Sequence, residues 1–111
     1  MLIENICSPS SGEPVKNQFA LITEKYKIMQ SYNTPIMKIS RHLNKAGAFT
    51  IYVSGDPYGY SMTTSKYVNQ FLRDYTCIDP TIFKKAIKNH VHEYTERLVD
   101  YKIKYMNEIS L

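Results

Sequence analysis

Tryptophan is absent from this chain, cysteine occurs twice, and neither proline nor glycine follows Pro80. The two thiols, Cys7 and Cys77, lack CxxC spacing, which excludes a zinc ribbon and a thioredoxin-like motif. A reduced setting suits them best. No run reaches the ~18 apolar residues of a membrane span, and the opening MLIENICSPSSG has neither the positive start nor the apolar core of a secretory signal. The expected location is therefore the cytosol, away from membranes. Acidic side chains are missing between Glu24 and Asp56, an interval that holds Lys25, Lys27, Lys38, Arg41 and Lys45. Such a positive zone attracts phosphate backbones or an acidic protein surface.

What the chain has in plenty is tyrosine, ten residues of it, whose apolar ring and polar tip suit half-buried faces and contact surfaces. With 111 residues, 43% of them apolar and 22% charged, the chain has the length and composition of one folded domain spanning 1–111. Residues 1–18 combine a short apolar patch (Leu2, Ile3, Ile6) with CSPSSGEP, a loop composition. Residues 19–55 read as sheet. Tyr26, Ile28 and Gln30 share an alternate row, and Phe49, Ile51 and Val53 alternate with Thr50, Tyr52 and Ser54. Pro35 belongs at an edge, a bulge or a turn.

A helix is expected over 62–75, where Val68, Phe71, Leu72 and Tyr75 form an apolar stripe and Thr63, Thr64 and Ser65 are the candidate caps. Asp79 with Pro80 then marks a second helical start. Phe83, Ile87, Val91, Tyr94, Leu98, Tyr101 and Tyr105 follow at spacings of 4, 4, 3, 4, 3 and 4, so one long helix is expected over 79–107. Its length of roughly 40 Å exceeds the roughly 35 Å breadth of a domain this size. Either its end projects and its seam forms a homodimer or pairs with another partner, or the helix breaks near His90 into two pieces that fold back; the homodimer is the expectation. The fold class expected is α+β, a small antiparallel sheet of two to four strands followed by two helices, the last one long.

No constellation of residues carries catalysis. The stretch Gly59–Tyr60–Ser61–Met62–Thr63 lacks the second glycine of a hydrolase elbow, and no glycine-rich phosphate loop surrounds Lys66. His90 and His92, two apart on a helix, point away from each other and cannot chelate one ion. No cofactor, no metal and no catalytic residue is expected.

The run from Ser31 to Leu72, with SYNTPI and then YSMTTSKYVNQFL, resembles a group of small bacteriophage and prophage proteins that carry a Ser-x-Thr-Thr-Ser-Lys-aromatic-x-Asn-x-Phe-Leu signature after a short sheet. Members often have histidine where this chain has Tyr67, so a role for an imidazole there does not carry over. The resemblance implies phage origin and action on a host or phage macromolecule. By analogy it suggests a non-enzymatic protein docked on a host protein or nucleoprotein complex, such as a host defence nuclease that it inhibits. The alternative is a nucleic-acid-binding accessory protein, with Lys66, Asn69, Gln70 and Arg73 on an exposed helical face and Arg41 and Lys45 on phosphates. For docking on protein, the surface expected is Tyr94, Leu98, Tyr101 and Tyr105.

Overall fold

A computed structural model describes residues 1–96 and 99–110. The elements in chain order are β1 (Leu2–Cys7), β2 (Pro14–Ile22), β3 (Tyr26–Ser31), β4 (Thr34–Ser40), β5 (Phe49–Ser54), α1 (Met62–Tyr75), α2 (Pro80–Lys88), β6 (Glu93–Glu96) and β7 (Val99–Met106). All seven strands form one sheet in the order β1-β2-β3-β4-β5-β7-β6. Strands β1 to β5 are an antiparallel meander, β5 and β7 run parallel, and β6 folds back antiparallel on β7 at the far edge. A parallel pair needs a crossover, which the segment containing both helices supplies.

The expected α+β fold is thus corrected to a seven-stranded mixed sheet with two short helices. Residues 1–18, expected to be loop-rich, supply β1 and the start of β2. The CSPSSGEP segment is the tight link between them, closed by Ser8 N–H to the Glu13 carbonyl at 2.8 Å and by Gly12 in the left-handed region (φ 73°). Prolines and serines marked the loop correctly but hid the strands on both sides of it.

The expected helix over 79–107 ends at Lys88. There the His90 N–H donates to the Ile87 carbonyl (3.0 Å) and the Val91 N–H to the Ala86 carbonyl (2.9 Å), with His90 left-handed at φ 53°. This pair of bonds is a Schellman stop, normally signalled by glycine, and histidine fills the left-handed position here. Beyond it, Val99, Tyr101, Ile103 and Tyr105 alternate with Asp100, Lys102 and Lys104, a strand period that the sequence displays. Tyr94, Tyr101 and Tyr105 of the expected heptad seam therefore stand on strands β6 and β7 and not on a helix face, so the dimer expected through that face loses its physical basis.

Both helices pack on one face of the sheet. The core there joins Val68, Phe71 and Leu72 of α1 and Phe83, Ala86 and Ile87 of α2 with Ala20, Met29, Met37, Ile51, Val53, Tyr101 and Ile103 of the strands. Burying a large apolar side chain contributes about 1.5–3 kcal/mol, so this cluster is the main stabilising term. Overall extents of 37 × 29 × 28 Å leave room for these short helices and not for the expected long one.

The start of α1 is tied into the sheet by polar groups. Ser61 is its N-cap, with Oγ accepting from the Thr64 N–H at 3.0 Å. Of the expected caps, Thr63 is exposed, Thr64 is buried in the first turn, and Ser65 donates back to the carbonyls of Ser61 (2.8 Å) and Tyr58 (3.0 Å). A chain of side chains then runs inward, from Ser61 Oγ to Thr64 Oγ1 (3.0 Å), to Ser31 Oγ (3.5 Å), to Gln18 Nε2 (3.0 Å). The Gln18 carboxamide oxygen is buried without a partner among the described residues, a polar cost that the joint carries. At α2, Asp79 Oδ1 accepts from the amides of Thr81 (2.8 Å) and Ile82 (3.3 Å), with Pro80 at the first helical position.

Candidate functional site

The helices leave the other face of the sheet uncovered, and strand register decides which side chains stand on it. Ile3 pairs with Leu21, Leu21 with Ile28, Ile28 with Lys38, Lys38 with Tyr52, and Tyr52 with Lys104. One row thus crosses six strands, apolar at the β1 side and cationic-aromatic at the β7 side. In the next row Tyr26 pairs with Ser40, and Thr50 pairs with Lys102.

At the centre, the rings of Tyr26 and Tyr52 meet edge to face, 6.5 Å between centroids and 76° between planes. The Lys38 ammonium lies 4.4 Å from the Tyr26 centroid and 5.1 Å from that of Tyr52, while Lys104 approaches Tyr52 from the other side at 5.7 Å. Each such contact is worth about 0.5–1 kcal/mol where solvent reaches it. The ladder holds two tyrosine rings and two ammonium groups side by side on a half-exposed surface. Acidic groups on this face, Glu93 opposite Lys102 and Asp100 opposite Thr95, lie toward the β6 edge.

The segment after β7 crosses the same face. The Asn107 carbonyl accepts from Ser54 Oγ at 3.1 Å, and the Ser110 carbonyl accepts from Lys38 Nζ at 2.9 Å. Between these anchors Ile109 is only 6% exposed, and like Leu21 and Ile28 it is buried outside the main core.

The side chains expected to bind a partner are scattered by the fold. On α1, Lys66 and Arg73 are exposed on the helical side of the molecule, and Lys66 lies over the Tyr67 ring at 5.6 Å. Their neighbours are engaged internally: Asn69 Oδ1 accepts from the Tyr58 hydroxyl (2.9 Å) and Gln70 Nε2 donates to Asp74 (2.9 and 3.0 Å). That leaves two of the four side chains free to read a groove. Arg41 follows β4 and donates from Nη1 to the Thr23 carbonyl (2.6 Å), and Lys45 is exposed in the β4–β5 loop. Tyr101 is buried in the core at 1% exposure, Tyr94 stacks on it at 5.7 Å, and Tyr105 lies half-buried one strand pair from Val53. Leu98 lies outside the described residues. Tyr26, Lys38, Tyr52 and Lys104 were missed because cross-strand register, not spacing along the chain, brings them together. The Tyr26–Ile28–Gln30 alternation was the visible trace of this face.

The two histidines are also rearranged by the helix stop. Their rings are 5.5 Å apart in a turn, His90 stacks on Tyr105 at 4.0 Å, and His92 meets Tyr105 edge-on at 5.3 Å. The Tyr105 hydroxyl donates to the Val91 carbonyl at 2.8 Å, and burial, followed by the charge of Asp56, raises its pKa. Among the described residues no group of three or more histidine, cysteine, aspartate or glutamate side chains is placed to hold a metal ion. Likewise, no helix among them is long and apolar enough to cross a membrane.

A cavity of about 470 Å³ opens between the C-terminal end of α1 and the sheet, floored by Ile39, Phe49 and Ile78. Its wall is internally tied, with Lys27 Nζ donating to the Tyr75 carbonyl and Thr76 Oγ1 to the Leu72 carbonyl (2.6 Å). These bonds close the helix end onto β3.

Residues 1–90 match the Family of unknown function (DUF8033). The chain belongs to that family. The matched segment includes β1 to β5 and both helices, so it carries Tyr26, Lys38 and Tyr52, while Lys104 and the crossing segment lie beyond it. No curated protein and no solved structure matches the chain.

Proposed function

We propose that the protein binds single-stranded nucleic acid across the uncovered face of its sheet, without catalysis. The observation that carries this reading is the Tyr26–Lys38–Tyr52–Lys104 ladder, which sets aromatic rings and ammonium groups at alternating positions on one half-exposed surface. Unpaired bases stack on such rings for about 1–3 kcal/mol each, and the interleaved lysines meet the phosphates. A duplex, whose bases are already stacked, offers those rings little. This face replaces the α1 surface as the nucleic-acid site, because Asn69 and Gln70 are spent on Tyr58 and Asp74.

A second reading is stoichiometric docking on a host protein, in keeping with the resemblance to phage proteins. One observation favours it: the face already holds a short peptide segment, residues 107–110, through backbone carbonyls and the Ile109 side chain. A partner's acidic segment fits the same lysines.

Surface variants read out by fluorescence anisotropy with a labelled oligothymidylate of about fifteen nucleotides separate these readings. Tyr52→Ala and Lys104→Gln should each weaken binding by roughly tenfold. Lys66→Gln and Arg73→Gln should leave it within twofold, roughly the error of such a titration. Loss of binding only in the α1 variants would move the site to the helical side. An oligonucleotide that binds none of these proteins would leave protein docking as the reading to pursue.

A further inference from the structure

We infer that residues 107–110 act as an internal strap that competes with the ligand for the uncovered face; the inference rests on the proposed nucleic-acid reading. Three observations meet in this segment. Lys38, central to the tyrosine ladder, is also the side chain that holds the strap, through its 2.9 Å bond to the Ser110 carbonyl. Ser54, on the face beside Tyr52, holds the other end at the Asn107 carbonyl. Ile109, between the two anchors, is 6% exposed although Glu108 and Ser110 on either side are exposed.

The attachment is weak by design of its parts. Among the described residues, two exposed hydrogen bonds and one aliphatic side chain hold this segment, and each bond contributes little where water competes for it. Such a segment belongs to the part of a structure that opens locally without global unfolding. While the strap is closed, the Lys38 ammonium is committed to a carbonyl and rests over the Tyr26 and Tyr52 rings. When it opens, Lys38 becomes available to a phosphate and the rings to a base. A ligand that binds only the open form has an apparent dissociation constant raised by the reciprocal of the open fraction. Strap and ligand are therefore negatively coupled.

The test is made on the full chain with labelled oligothymidylate. Ile109→Ser removes the anchor without adding charge, and it should bind roughly three- to tenfold more tightly than the unmodified protein. Ser54→Ala, which removes one hydrogen bond at an exposed position, should tighten binding in the same direction by less; it decides the matter should Ile109→Ser fail to fold. In the unmodified protein, saturating oligonucleotide should also move the NMR signals of residues 107–110 to the positions of an unstructured chain. Equal affinity in the folded variants, with the signals of residues 107–110 unchanged on binding, would overturn the strap and leave the nucleic-acid reading standing. An absence of binding in every variant would overturn both.

Discussion

The ring of Phe83 on α2 lies 6.2 Å from that of Tyr101 on β7, tilted by 57°, and this contact fastens the helical layer to the parallel part of the sheet. Tyr101 is 1% exposed, in the middle of its strand, and Phe83 is fully buried. Tyr101→Ala should therefore lower the unfolding free energy by about 3–5 kcal/mol, the cost of emptying an aromatic site in a packed core. Urea denaturation followed by circular dichroism measures it. A change below about 1 kcal/mol would place Tyr101 on a surface, as in the long-helix reading, and contradict the sheet.

The start of α1 makes a sharper distinction. Ser61→Ala removes the side chain that accepts from the Thr64 amide and should cost about 1 kcal/mol. Thr63→Ala, two positions further on in the exposed first turn, should change stability by less than about 0.5 kcal/mol. Reversal of that order in matched melting experiments would put the cap at Thr63.

Alkaline stability depends on Tyr75. Burial, with Glu4 and Asp74 nearby, pushes its pKa up from the usual 10.0 to about 12. The folded state therefore holds this proton where the unfolded chain releases it. The resulting stabilisation is complete below pH 10 and is lost as pH rises from 10 through 12. Tyr75→Phe cannot ionise, so its stability should fall less steeply over that window than that of the unmodified protein. Tyr58, also raised by burial and by Asp56, persists in both proteins and sets a common background. Identical pH profiles from denaturation at pH 9 to 12 would show that Tyr75 titrates as it does in the unfolded chain.

Much of the local structure was legible because it rests on local chemistry. Phe49 to Ser54 alternates as β5 does, the Val68–Phe71–Leu72 stripe is the buried side of α1, and Asp79–Pro80 caps α2. The C-terminal third was misread because Tyr101 and Tyr105, four apart, fit a helical period as well as a strand period. Only the stop at Asn89 and His90 decides between them, and that stop uses neither glycine nor proline. The candidate site was less legible still. Tyr26, Lys38, Tyr52 and Lys104 are separated by at least twelve residues along the chain, and no spacing rule joins them. Their proximity follows from strand order and register, including a parallel pairing of β5 with β7 that the segment after Lys88 had to reveal.

The most direct test of the nucleic-acid reading is the salt dependence of oligothymidylate binding by the unmodified protein. If Lys38, Lys102 and Lys104 meet three phosphates, the logarithm of the association constant should fall with the logarithm of salt concentration at a slope of about −2, the value for three single-strand contacts. Between 50 and 200 mM salt that is a loss of roughly twentyfold, and a duplex of the same length should bind more weakly throughout. A slope near zero, or a duplex that binds at least as tightly as the single strand, would contradict the account.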